Sequence, residues 1–282
     1  MFLLIRKDIT KWFFDLLKYI GLFFFYLFLS SIILYIVFFI FNQDIENSLD
    51  VLDLNFFVIF QVPVLIGTIL LGKAMNKSLS LEDFRMEQII QGLIIGFFLI
   101  CLFIISQVLL GTTNFSWNGF SLELAVYLAL FILVAVNEEI LFRHLLFGHL
   151  CAKLNNKHAT IVCSLIFSLI HAGNDNFNLV GFVTIFLFGV LMSVFYIRYN
   201  NLSVPIATHF TWNFFQGPVF GYPVSGLQVK SLLSAEIAGH NFYINGGNFG
   251  AEGSLLLVFI IAIYIYFISM GKGFVDIRFS KK

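Results

Sequence analysis

Apolar residues run along this chain in long stretches, and a stretch of about 18 or more predicts a helix able to cross a bilayer. Eight stand out, at approximately 19–41, 55–72, 90–110, 122–148, 159–173, 179–198, 203–217 and 254–271. The first begins too deep and runs too long for a cleavable leader, and no small-residue cleavage site follows it, so it is expected to stay in the mature chain. The fifth and seventh are short and interrupted by polar residues, which suits helices shielded by neighbours inside a bundle. The pattern predicts an all-α polytopic membrane protein of about eight transmembrane helices. A single membrane domain spans 1–282, with N-terminal helices over 19–110, a core over 120–217 and a C-terminal helix over 254–271.

Charge between the stretches gives an orientation. Arg6, Lys7, Lys11 and Lys18 precede the first, Lys73, Lys77 and Arg85 follow the second, and Lys153 and Lys157 follow the fourth. Arg198 follows the sixth, and Lys272, Arg278, Lys281 and Lys282 follow the last. The alternate loops hold Asp44, Glu46, Asp50, Asp53, Glu123, Asp175, Glu236 and Glu252, with Lys230 as their one basic residue. Basic loops stay on the cytoplasmic side, so a multi-pass cell-membrane protein with both termini cytoplasmic is expected.

Composition agrees with a lipid setting. The chain is 60% apolar and 11% charged, where a soluble domain is nearer half and a quarter. Its 38 phenylalanines suit helix surface against membrane lipid, and a net charge of zero offers nothing to nucleic acid. Cys101, Cys151 and Cys163 form no CxxC pattern and read as buried free thiols.

Against that background three polar clusters are conspicuous: Glu138-Glu139-Ile140-Leu141-Phe142-Arg143, Phe167-Ser168-Leu169-Ile170-His171, and His209-Phe210-Thr211-Trp212-Asn213. A charged group at bilayer depth costs roughly 2.5 kcal/mol or more on insertion scales, so it persists by pairing or by function. Glu139 and Arg143 are helical i,i+4 neighbours, which predicts an ion pair within one helix. Glu138 points about 100° away, on a stripe with Phe142, Leu145 and His149, and is left to face another helix. Phe167 with His171, and His209 with Asn213 and Gln216, form corresponding faces. At 1.5 Å per residue, His209, Glu138 and His171 lie about 9, 15 and 18 Å from the cytoplasmic ends of their helices, close enough in depth for one site.

These residue types suit hydrolysis by an activated water. A carboxylate removed from bulk water is a better base, a histidine beside it can hold the water, and a second histidine with an asparagine can donate to an oxyanion. Ser168 lacks the glycine-rich elbow of a serine nucleophile. Two other readings remain open. Glu138, His171 and His209 could instead bind Zn²⁺ with water in the fourth position, although HExxH is missing. Intramembrane carboxylates also serve transporters, and a non-enzymatic immunity protein would need no chemistry, although no inverted repeat is visible. The remaining histidines, His144, His149, His158 and His240, need no function. Trp212 reads as packing or channel wall, Trp12 and Trp117 as interfacial anchors, and the loop Gly246–Gly253 as either an external lid or a closure of the bundle.

The order EExxxR, FxxxH, HxxxN on successive helices resembles the CAAX-protease and bacteriocin-processing (CPBP, Abi) family of intramembrane proteases over roughly 120–215. The resemblance implies a conical catalytic helix bundle formed by spans four to seven. It implies Glu138 as general base on a water also held by His171, His209 and Asn213 as oxyanion donors, and Glu139 with Arg143 as the supporting pair. It implies a peptide or membrane-protein substrate, with no cofactor unless the zinc version holds. Family members cut prenylated CAAX tails or act in bacteriocin immunity, maturation and peptide signalling. The Phe/Ile/Leu/Asn-rich usage fits an AT-rich bacterial genome and so the peptide-processing roles. One departure concerns His144, which stands where the family usually has glycine; it bears on substrate entry more than on the reaction.

Overall fold

The computed structural model describes residues 14–15, 17–32, 49–77, 79–80, 84–237 and 241–270. Positions 33–41 of the first predicted span, Arg6, Lys7, Lys11, Trp12, Asp44, Glu46, His240 and the basic tail from Lys272 lie outside them. Two compact units emerge, Met1–Ser80 and Leu81–Lys282.

The first unit holds α1 (Leu17–Ile32) and α2 (Leu49–Ala74). Gly67 lets the two backbones meet, since a Cβ there would lie 3.3 Å from Leu27 N. Ser30 Oγ donates across the pair to Pro63 O at 3.1 Å.

The second unit begins with α3 (Met86–Leu109) and β1 (Thr113–Trp117). Next, α4 (Glu123–Glu139) runs without a break into a π-helical segment, Ile140–Phe147, and a short α5 (Gly148–Leu150). Helix α6 (Asn156–Ile170) ends in a 3₁₀ turn, His171–Gly173; α7 (Leu179–Tyr199) follows, then α8 (Ser203–Phe214), which also passes into a π-turn, Phe215–Val219. After β2 (Leu233–Ile237) and the short α9 (Phe242–Asn245), two 3₁₀ turns lead to α10 (Leu255–Met270).

Local chemistry sets the helix limits. Asn155 Oδ1 accepts from His158 N (3.0 Å) and Asn178 Oδ1 from Gly181 N (2.9 Å), the N-caps that start α6 and α7. Asn200, at φ 50°, ends α7 in the left-handed conformation that asparagine tolerates. Pro205 sits in the first turn of α8, where a missing N–H costs nothing.

Among the described residues three segments are long and apolar enough to cross a membrane: Met86–Leu109, Glu123–Leu150 and Leu179–Tyr199. They coincide with the predicted 90–110, 122–148 and 179–198, and the architecture is that of an all-α membrane protein. The other predicted spans of this unit fall on shorter helices, of 15, 12 and 16 residues for α6, α8 and α10. One element was not expected. Residues 113–117 and 233–237 pair as an antiparallel ribbon, Thr113 opposite Ile237 and Trp117 opposite Leu233, with Phe115 against Phe220 and Tyr222. Its five-residue strands lie in polar loops between apolar runs, where helix-length windows do not register them.

Helix α8 is held by glycines. A Cβ on Gly92 would come within 2.7 Å of Val204 O, and one on Gly96 within 2.6 Å of Thr208 O, so α3 seats its backbone directly on α8. Thr208 Oγ1 then donates to Gly92 O at 3.2 Å. The buried core beside this contact contains Leu99, Phe103, Leu191, Phe195, Trp212 and Leu257.

Candidate active site

The three polar clusters converge within the second unit. Glu139 and Arg143 are fully buried, and Arg143 Nε lies 3.1 Å from Glu139 Oε2 in the expected i,i+4 ion pair. Their alignment makes it a charge contact rather than a hydrogen bond. Arg143 Nη2 donates to Gly189 O of α7 (3.3 Å), and the guanidinium lies 4.6 Å from the centre of the Phe167 ring. This Arg–aromatic contact adds roughly 0.5–2 kcal/mol in a desolvated site.

Helix α8 delivers His209 to the same carboxylate. Nδ1 donates to Glu139 Oε1 at 2.8 Å, while Nε2 lies 3.8 Å from Glu138 Oε2. The bond at Nδ1 fixes the ring and aims the other nitrogen at Glu138. Phe188 packs edge-on against the imidazole with ring centres 5.5 Å apart. Glu139 therefore serves two cationic or donor partners, Arg143 and His209, rather than the arginine alone.

Glu138 is different. Its side chain is 29% exposed, and Oε2 accepts no hydrogen bond from the protein. Asn213 is buried one turn beyond His209. His171 caps the end of α6, half-buried, with Nδ1 donating to Phe167 O at 2.8 Å and the rings of Phe167 and His171 4.7 Å apart. That bond leaves Nε2 as the outward nitrogen. The geometry thus joins Glu138, Glu139, Arg143 and His209 by direct contact and connects His171 to them through Phe167, whose ring also faces His209 at 6.4 Å. His171 and Glu138 make no direct bond. Among the described residues no three His, Cys, Asp or Glu side chains converge closely enough to hold a metal ion.

Two features escaped the sequence. The first is the π-helical segment, which starts directly after Glu139 and shifts the stripe expected through Phe142, Leu145 and His149; a π-turn adds a residue and frees carbonyls, and is common beside functional groups. Cys163 Sγ donates to Phe142 O at 3.2 Å, which gives the buried thiol a structural partner. The second is Gly189 O, a backbone acceptor with no side-chain signature. Ser168 is no nucleophile: its hydroxyl donates to Phe182 O at 2.7 Å. His144, in place of the family's glycine, reaches α7, with Nδ1 3.3 Å from the Tyr196 hydroxyl. Trp212 is packing, 2% exposed.

Residues 120–215 match the family described as type II CAAX prenyl endopeptidase Rce1-like. The likeness is confined to that segment. The segment contains all three motifs and agrees with the CAAX-protease and bacteriocin-processing family that they resemble. No curated protein matches the chain. Prenyl endopeptidase activity is the property of the family that this segment matches.

Proposed function

We propose that this protein hydrolyses a peptide bond inside the membrane with a water activated by Glu138. Glu138 takes a proton from water that His171 Nε2 helps to hold, and the hydroxide oxygen adds to the scissile carbonyl. His209 and Asn213 donate to the resulting oxyanion. Glu138 then returns the proton to the amide nitrogen as the C–N bond breaks, which leaves an amine and a carboxylic acid that ionises to solvent. For His209 to donate from Nε2 while Nδ1 donates to Glu139, the ring must carry both protons, and Glu139 with Arg143 holds it in place.

The observation that carries this reading is the contrast between the two adjacent carboxylates. Glu139 is fully buried between Arg143 and His209, whereas the Glu138 side chain is 29% exposed and touches only His209, 3.8 Å from its Nε2, with no hydrogen bond at Oε2. The neighbour needed for structure and the one available for chemistry are distinct. The same proposal includes eight spans, a conical bundle of spans four to seven and cytoplasmic termini. The substrate is a peptide or membrane protein, in bacterial peptide maturation, immunity or signalling, with a prenylated CAAX tail as the second class.

Mass spectrometry of membrane and peptide fractions from cells expressing wild type, Glu138→Ala or His171→Ala at matched levels tests this. A fragment made only by wild type is expected and identifies the cut bond. Identical profiles with an intact cellular phenotype in both variants would instead support transport or binding-only immunity. The zinc version would require His171 Nε2 to join Glu138 and His209. Loss of cleavage on chelation, restored by zinc, would establish it.

A further inference from the structure

Glycines bring the loop at Gly246–Gly253 into the protein interior. Phe249, Ala251 and Glu252 are buried. Gly250 adopts φ 96°, and a Cβ on it would lie 1.8 Å from Pro223 O and 3.1 Å from Gln216 Nε2. Phe249 fills the space that a side chain at Gly181 of α7 would occupy, its ring carbon lying 2.5 Å from where a Cβ would stand. The loop is therefore packed against both α7 and α8, which favours the closing role over the lid.

Glu252 lies at the centre of this packing. Its Oε2 accepts from Gln216 Nε2 (2.5 Å) and Ser225 N (3.4 Å), and its Oε1 from Ser225 Oγ (3.3 Å). Gln216 lies three residues beyond Asn213, in the π-turn that continues α8. Ser225 in turn accepts from Asn174 Nδ2 at its carbonyl (3.0 Å), and Asn174 is three residues after His171. Gly226 tightens the same joint, since a Cβ there would lie 2.2 Å from Asp175 O. A continuous hydrogen-bonded path thus runs Gln216–Glu252–Ser225–Asn174. It ties the helix that carries His209 and Asn213 to the turn that carries His171.

We infer that Glu252 is a positioning residue that, through Ser225 and Asn174, sets the placement of His171 relative to His209 and Asn213. It touches none of the reacting groups. Because a misplacement of about 1 Å can cost about 10²-fold in rate, such a tie governs turnover without touching substrate. The inference rests on the peptidase reading, and its test separates the two. Glutamine fits the same network, its oxygen accepting from Gln216 and Ser225 N while its amide donates to Ser225 Oγ; leucine cannot. Asn174 is exposed, so Asn174→Ala cuts the path without emptying the core.

The assay uses full-length protein in lipid nanodiscs with an internally quenched farnesylated Cys-aliphatic-aliphatic-X peptide and its unprenylated counterpart, with Glu138→Gln as the inactive reference. Selectively ¹⁵N-histidine-labelled protein supplies a spectrum in which His171 is assigned by its loss in His171→Ala. Glu252→Leu is expected to lower kcat about 10²-fold with little change in KM. Asn174→Ala is expected to lower it about three- to tenfold, and Glu252→Gln to stay within about threefold of wild type. The His171 signal should move in Glu252→Leu and Asn174→Ala and return in Glu252→Gln. Unchanged kcat and His171 signal in Asn174→Ala and Glu252→Leu, with Glu138→Gln inactive, would overturn the positioning role alone. Full activity in Glu138→Gln would remove the reading of Glu138 as the base, and no cleavage by wild type would remove the CAAX class of substrate; in both cases the His171 signal still decides whether the path holds that residue.

Discussion

Two of the described carboxylates in the second unit are buried, Glu139 and Glu252, and they are satisfied in opposite ways. Glu139 lies between Arg143 and His209, groups that carry or accept positive charge. Glu252 lies between Gln216 and Ser225, both neutral donors. A carboxylate with an arginine beside it keeps its charge, and removing either partner strands the other in a dry interior. One held by neutral donors needs acceptor atoms rather than a charge. The first arrangement keeps an ion in place next to the reacting groups; the second builds a joint.

The largest effect should come from the charged cluster. Arg143→Ala strands Glu139 and is expected to cost about 3–5 kcal/mol, read as a fall in thermal midpoint in detergent together with lost cleavage. A cost no larger than that of Glu252→Gln would erase the distinction between the two sites. Asn213→Ala should lower kcat by about 10²–10³ with stability kept, measured by initial rates alongside unfolding; an equal loss of stability would make Asn213 a packing residue. Gly250→Ala imposes a side chain where φ is 96° and Pro223 O is in the way. It is expected to destabilise by about 1–3 kcal/mol through strain and crowding.

The smallest effect belongs to Glu252→Gln, under about 1 kcal/mol at neutral pH, and it sharpens the comparison through pH. Burial pushes the Glu252 carboxyl above its usual range, against the pull of the Gln216 hydrogen bond. Between the unfolded value, about 4.3, and the raised folded one, the native state holds more protons than the unfolded state. Stability therefore falls as pH rises through that window, and the penalty is absent below it. Unfolding midpoints measured from pH 4 upward should show this decline in wild type and a flatter profile in Glu252→Gln. The same slope in both proteins would assign the effect to another group.

Hydrophobic run length was enough to find the long helices, because burial in lipid demands about 18 apolar residues whatever their neighbours. It found α3, α4 and α7 closely. It overran at α6, where the predicted 159–173 includes a 3₁₀ turn, since His171 ends the helix by bonding back to the backbone at Phe167. The i,i+4 rule found the Glu139–Arg143 pair because that contact lies within one turn. It could not foresee His209 on Glu139, a meeting across 70 residues that depends on how α4 and α8 pack. Gln216 was visible on the His209 face and Glu252 in its glycine-rich loop. Their bond was not, because only the close approach permitted by Gly250 brings them together.

The π-helical segments after Glu139 and after Phe214 also bear on how this chain is to be compared and edited. Each wide turn is, in effect, an extra residue spliced into an otherwise α-helical count. Deleting one position within Ile140–Phe147 would let the backbone close into ordinary α-helix with the residues beyond it still on the faces they hold now, whereas an α-helix that kept the extra residue would turn them by about 100° relative to Glu138–Glu139. Aligning this stretch to a strictly α-helical counterpart accordingly calls for a single-residue gap after the acidic pair, and a motif count carried across it without that gap would point to the wrong face of the helix.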